Sequence, residues 1–295
     1  MIARENHRLF KTYPLDGEVT INGQTVSTPY HIYDGEMVFI GGTAKADVAR
    51  ELLKNEHLTP ILDTNGDALM AVWVCDFTQA NLGAHHELQF SIFASVKPQA
   101  PVQAHPFAIF RALVMNPEMM MICHGLWNST QLVVDYNREH LGLDAHLSIS
   151  DIQAHDHWRS FDVKDAITGE SLIQGDLIEP MAGLKKWDYE GVEPKGKALR
   201  DMMAHLGFGG MMRAMRSAFV HVPVVNTISR PLSDTNRVAH TYTKTDNQIV
   251  RYFSPTHDKL VIQHPRYAPL NFAPAIVQHN RGIRFVYLRP VAISG

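Results

Sequence analysis

Two neighbouring stretches decide the fold. They are Ala68-Leu69-Met70-Ala71-Val72-Trp73-Val74-Cys75-Asp76-Phe77 and His86-Glu87-Leu88-Gln89-Phe90-Ser91-Ile92-Phe93-Ala94-Ser95-Val96, separated by a break at Asn81-Leu82-Gly83. The first is apolar and β-prone. The second alternates, which is the period of a strand with one face against a core. Upstream, Val19-Thr20-Ile21, Asn22-Gly23 and Gln24-Thr25-Val26 read as a hairpin, because Asn-Gly supplies the positive φ angles of a type I′ turn. Met37-Val38-Phe39-Ile40 reads as a buried strand. Thr43 to Leu53 has apolar residues at helical spacing behind Thr43 as N-cap and reads as a helix.

Downstream, residues 97–110 hold Pro98, Pro101 and Pro106 and read as a loop. Met115 to Ile122, with Pro117 inside it, stays open between helix and strand. Gly125-Leu126-Trp127-Asn128-Ser129 reads as a turn. A strand pair is expected at 158–165 and 171–178, joined by Thr168-Gly169, and strand-like alternation returns at 237–253 and 259–288. Strands outnumber helices. The fold class expected is therefore α+β, a large antiparallel, barrel-like β-sheet with a few peripheral helices, as a single domain over 1-295. A Gly/Met-rich helical insertion is expected at about 180-235. There Met202, Met203, Met211, Met212 and Met215 are interrupted by Gly207, Gly209 and Gly210, which fits short core helices or a lid over an apolar ligand.

The 295 residues carry 27 Lys and Arg against 30 Asp and Glu, a net charge of −3. An acidic chain without a basic block argues against a nucleic-acid partner. Cys75 and Cys123 are the only cysteines, which excludes a disulfide scaffold and a four-thiolate zinc site. The phosphate loop, GxGxxG, GxSxG and HExxH are all missing, so a nucleotide or dinucleotide enzyme is not expected. There is no apolar run of bilayer length and no signal-like N-terminus, so a cytoplasmic protein without a membrane span is expected.

The order of features from Pro29 to about Tyr136 resembles the acetoacetate decarboxylase superfamily. Pro29-Tyr30-His31-Ile32-Tyr33-Asp34-Gly35-Glu36, followed by strand, helix and Leu58-Thr59-Pro60-Ile61, is similar to that family's N-terminal block. Leu82-Gly83-Ala84-His85-His86-Glu87-Leu88 is similar to its GxYxE strand, with Glu87 at the pocket glutamate. His124-Gly125-Leu126-Trp127-Asn128-Ser129-Thr130-Gln131 resembles its RExWGFPKK block. The resemblance implies the family's fold and pocket, and a tendency to form homo-oligomers. It also implies a departure. Gln131 falls where the family's Schiff-base lysine would be, Leu132 where that lysine's neighbour would be, and His31 where a pocket arginine would be. An amide has no nucleophilic amine, so imine chemistry is not expected from these positions.

Residues i and i+2 of a strand share a face, so His85 points wherever Glu87 does and His86 points away. A partly desolvated carboxyl and imidazole can act as general acid and base, and Gln131 could bond a carbonyl oxygen. The expected catalytic residues are thus Glu87, His85 and Gln131. His31, Trp73, Asp76, His124 and Trp127 are the expected substrate contacts, with no metal and no cofactor. The expected activity is acid/base chemistry of the lyase type on a small-to-medium apolar carbonyl or carboxylic compound: decarboxylation, dehydration, isomerisation or cyclisation. Three alternatives stand beside it. One is a non-catalytic small-molecule-binding protein on the same scaffold. Another is a Schiff-base decarboxylase with a relocated lysine, for which Lys185-Lys186 is the candidate pair. The third is a metal held by His85, Glu87 and His124, or by His155-Asp156-His157. In the plainest reading, His85–Glu87 is a structural hydrogen bond and Trp73, Trp127 and the cysteines are core residues.

Overall fold

The computed structural model describes residues 7–116, 118–155, 157–179, 197, 200–201, 203–207, 226–228, 237–243 and 247–288. Helix α1 (Arg8–Thr12) precedes the hairpin of β1 (Gly17–Ile21) and β2 (Gln24–Thr28). Next come β3 (Tyr30–Ala44), α2 (Ala46–Leu53), the short β4 (Thr59–Pro60), β5 (Ala68–Ala80) and β6 (His85–Ser95). They are followed by α3 (Ala108–Met115), β7 (Met120–Asn128), α4 (Gln131–Glu139), β8 (Ala145–Ala154), β9 (Trp158–Asp165) and β10 (Ser171–Ile178). The closing strands are β11 (Asn226–Ile228), β12 (Arg237–Thr243), β13 (Asn247–Tyr252), β14 (Lys259–Ile262), β15 (Ala273–Arg281) and β16 (Arg284–Tyr287).

The pairings run in a closed circuit, β3–β5–β6–β7–β11–β12–β16 and back to β3, so the sheet curls round into the expected barrel-like form. β3 makes the curl. Its start pairs with β16 and its later part with β15, with irregularities on either side of Asp34. Gly35 sits in that bend, where a Cβ would come within 2.6 Å of the Asp76 carbonyl oxygen.

Alternation along the strands divides the core in two. One face points into the circuit. The hairpin and α4 close it at one end with Ile21, Val26, Val133, Val134 and Tyr136. At the other end Phe107, the N-cap of α3, and Ile109 and Ala112 within it close the circuit. The outer face (Val38, Ile40, Val72, Val74, Leu88, Phe90) packs against Phe161, Val163, Leu172 and Leu177 of β9 and β10 and against α2. Phe90 stacks on Tyr267 with centroids 4.3 Å apart. An ion network with a buried centre ties this second layer to the barrel. Arg159 of β9 bonds Glu179 at 2.9 Å and also Glu36 of β3, and Arg281 of β15 bonds Glu179 at 2.8 Å.

The hairpin forms as expected, with φ of 47° at Asn22 and 79° at Gly23, and β9 and β10 span the expected residues. Three local readings are corrected and one left open is settled. The proline-bearing stretch 97–110 runs into α3, whose apolar residues close the barrel. Thr43 lies in β3, and the α2 cap is Lys45 without a side-chain bond. The open stretch resolves into the end of α3 and the start of β7. The turn expected at 125–129 is instead the second half of β7. Gly125 reads as a breaker but is needed there because the Tyr267 hydroxyl occupies the place of its Cβ. The insertion expected at 180-235 lies outside the described residues, apart from the few positions given above and β11. Among the described residues no helix is long and apolar enough to cross a membrane.

A Cβ at Gly42 would run into the backbone of Ala273 and come within 2.9 Å of the Pro274 Cα. Neither can yield without breaking the β3–β15 pairing. Gly42→Ala should therefore cost about 2 kcal/mol or more, read as a lower denaturant midpoint at unchanged slope.

Candidate functional site

The strand registers set a row of inward side chains across five strands: Asn280 (β15), Met37 (β3), Cys75 (β5), Glu87 (β6) and Asn128 (β7). Glu87 is 3% exposed. The Asn128 amide donates to one of its oxygens at 3.0 Å, and the Tyr287 hydroxyl donates to the other at 3.1 Å. Tyr287 lies on β16, three pairings from β6, so this bond spans the interior of the circuit. Asn137 of α4 donates to the Asn128 carbonyl oxygen at 2.9 Å, which turns the Asn128 NH2 toward the carboxyl.

Burial pushes the Glu87 carboxyl up to about 7, against the downward pull of its bonds to Asn128 and Tyr287. The donors it meets are neutral. Burial and the Glu87 charge together push the Tyr30 and Tyr287 hydroxyls well above their ordinary value, so both stay protonated.

His85 faces the interior with Glu87 but is bonded elsewhere. Its Nδ1 lies 2.9 Å from the Gly83 carbonyl oxygen, which can only accept, so Nδ1 carries the proton. Its Nε2 then accepts from the Tyr30 hydroxyl at 2.6 Å. Burial lowers this imidazole to about 4. The Tyr30 ring stacks on Tyr287, centroids 5.4 Å apart. His85 and Glu87 are therefore joined through two tyrosines, not by the direct pair that their spacing suggested.

The other expected site residues disperse. Trp73 is on the inner face, packed edge-on against Phe39 at 4.7 Å. His31 is on the outer face, its Nε2 bonded to the Tyr13 carbonyl oxygen at 2.7 Å. Asp76 also points outward and meets His86 at 3.5 Å. His124 turns to the outer layer, bonded to Tyr267 at 2.9 Å and to the Leu52 carbonyl oxygen at 3.1 Å. Trp127 packs with Phe90 and His146 there. Gln131 is exposed on α4 and bonds Asp135 at 2.7 Å. The reason is shared: Asn128 points inward, so its strand neighbour Trp127 points out, and a residue at the start of α4 stands beyond the sheet. His124 on the opposite face dissolves the metal set with His85 and Glu87. No group of three His, Cys, Asp or Glu among the described residues is arranged to hold a metal ion. Asp156 and the Lys185-Lys186 pair lie outside the described residues.

Sequence reasoning missed Tyr30, Asn128, Asn137 and Tyr287. Asn137 left a signal, a polar residue at helical spacing on the Val133, Val134 apolar face. A surface cavity of about 440 Å³ between His155, Ser160, Asp176, His257 and Lys259 touches none of this cluster.

No protein-family model and no curated protein matches the chain. Solved structures do. Acetoacetate decarboxylase from Legionella pneumophila superposes with TM-score 0.56 at 9% identity, over 90% of this chain and 88% of that one. The chain has the acetoacetate decarboxylase-like fold. An acetoacetate decarboxylase-like enzyme from Sphingomonas wittichii matches with TM-score 0.51 at 10% identity, over 94% and 98% of the two chains. The enduracididine biosynthesis enzyme MppR complexed with pyruvate matches with TM-score 0.50 at 10% identity, over 90% and 91%. Within that fold, the interior face of this chain carries the buried polar groups His85, Glu87, Gln89, Asn128 and Asn280.

A glutamate raised to about 7 from 4.5 binds its proton more tightly in the folded state. The contribution of Glu87 to stability therefore falls as pH rises through the window from about 4.5 to 7, by ~3 kcal/mol in total, while the histidines that desolvation lowers act in the opposite sense. Glu87→Gln removes this dependence. Denaturant unfolding should show the variant gaining ~3 kcal/mol on wild type between pH 4 and pH 8. A difference that does not change with pH would contradict the buried, proton-holding carboxyl.

Proposed function

We propose that the protein is an enzyme that uses Glu87 as general acid and base on a small-to-medium carbonyl compound held inside the barrel, without a Schiff base. One observation carries this reading: a fully enclosed carboxyl whose hydrogen-bond partners, Asn128 and Tyr287, are neutral, so that burial pushes it up to about 7. Such a group is divided between its two forms at neutral pH, where proton transfer in both directions is fastest. The carboxylate would take a proton from the carbon beside the carbonyl. The electron pair of that C–H bond would pass onto the carbonyl oxygen, and the protonated Glu87 would return the proton to carbon or to a leaving group. Tyr30, held by neutral His85, keeps Tyr287 aligned on Glu87, so His85 is a positioning residue.

The exposed amide of Gln131, bonded to Asp135, supports the absence of imine chemistry at the position where the resemblance would put a lysine. The finer choice among decarboxylation, dehydration, isomerisation and cyclisation belongs to the substrate. The acetoacetate decarboxylase-like neighbours favour an enzyme over a pure binding protein.

The test needs no knowledge of the natural substrate. Benzylacetone in deuterium oxide should exchange its α-protons in the presence of the protein, with a pH profile inflecting near 7. Glu87→Gln should slow that exchange by about 10²-fold or more. Equal exchange in both proteins would remove Glu87 from the chemistry. In a separate experiment, borohydride added with a keto acid should leave the protein mass unchanged. A trapped adduct would mean that a lysine forms an imine after all.

A further inference from the structure

Next to the Glu87 row, the registers align a second inward row: Gln278 (β15), Phe39 (β3), Trp73 (β5), Gln89 (β6) and Leu126 (β7). The two rows form a polar belt between the apolar cluster around α4 and the one around α3. Its amides bond along their own strands. Gln89 donates to Ser91 at 2.6 Å, and Gln278 donates to the Asn280 carbonyl oxygen at 3.0 Å. That arrangement leaves two donors over. The Trp73 indole N–H and the Asn280 amide nitrogen are buried with no hydrogen-bond partner among the described residues, and Asn280 is 2% exposed. Buried donors are nearly always paired, and leaving one unmet is expensive. The two stand on strands that flank β3, on the same inner face as Glu87 and one register row apart, and they mark a place for an acceptor.

We propose that Trp73 and Asn280 form a substrate subsite that receives an uncharged carbonyl oxygen. The proposal rests on the acid/base reading above and fills the role that Gln131, exposed on α4, does not. Both donors are neutral, and a neutral oxygen is satisfied by them. A buried carboxylate would keep an uncompensated charge close to a glutamate that is itself ionising. The substrate class is therefore a ketone, ester or amide whose carbonyl lies in the barrel, with any carboxylate it carries left outside the belt.

The sequence contains four tryptophans, so the proton–nitrogen correlation spectrum shows four indole signals, and the one lost in Trp73→Phe belongs to Trp73. In the ligand-free protein that signal should sit at the upfield position of an unbonded N–H. It should move downfield on titration with benzylacetone and stay in place with hydrocinnamate, the carboxylate of the same size. Trp73→Phe and Asn280→Leu should each weaken benzylacetone binding by about tenfold, a lost hydrogen bond's worth. A signal already downfield without ligand would mean that the chain supplies the acceptor, and the proposal falls. It falls equally if the signal ignores the ketone, if hydrocinnamate is preferred, or if both variants bind as wild type does. Glu87→Gln separates the two readings. If the subsite is correct, the indole signal still moves in that variant, whether or not its exchange activity survives.

Discussion

A carboxyl group enclosed in a protein must either keep its proton or be surrounded by hydrogen-bond donors, and here the structure does part of each. The Asn128 amide and the Tyr287 hydroxyl hold both oxygens of Glu87, yet neither brings a charge, so desolvation prevails and the group titrates near 7. The barrel's closure is tied to the same constraint. Tyr287 reaches Glu87 only because β16 has been brought round to β3, and β3 can accept β16 and β15 in succession only because it bends beside Gly35. A change that flattened the sheet would leave the carboxyl with half its donors.

The two-layer construction separates stability from chemistry. On the outer face the sheet is glued by apolar packing against β9, β10 and α2 and by the Arg159–Glu179–Arg281 network. The Arg159–Glu179 pair at its centre is buried on both sides and so is costly to break one partner at a time, and it fixes how the second layer sits on the first. The inner face carries the uncharged polar partners of Glu87. Because strand alternation assigns neighbouring residues to opposite faces, a single strand such as β7 serves both: Asn128 reaches the carboxyl while Trp127 beside it packs with Phe90.

Much of the scaffold was legible because period-two alternation is a direct print of burial. β5, β6, β9 and β10 and the Asn22-Gly23 turn could be read from residue order, and alternation put His85 and Glu87 on one face. The failures have a common physical origin in contacts far along the chain. Gly125 looks like a strand breaker until Tyr267 takes the space of its Cβ. Asn128 looks like a turn residue until Glu87 and Asn137 bond it from two directions. Tyr30 and Tyr287 lie at opposite ends of the sequence, and nothing local foretells that their rings stack. The expected contacts His31, Asp76, His124, Trp127 and Gln131 were chosen by proximity in sequence, whereas side-chain direction decides membership of an interior.

The stacked pair of Tyr30 and Tyr287 has an optical consequence. Two coupled phenol rings held rigidly in an asymmetric interior are strong chromophores in near-ultraviolet circular dichroism, and one of them donates directly to the Glu87 carboxyl. Ionisation of that single group changes the field across both rings. The barrel thus contains its own spectroscopic indicator, in which the protonation state of one buried acid is written into the tyrosine band without any added label.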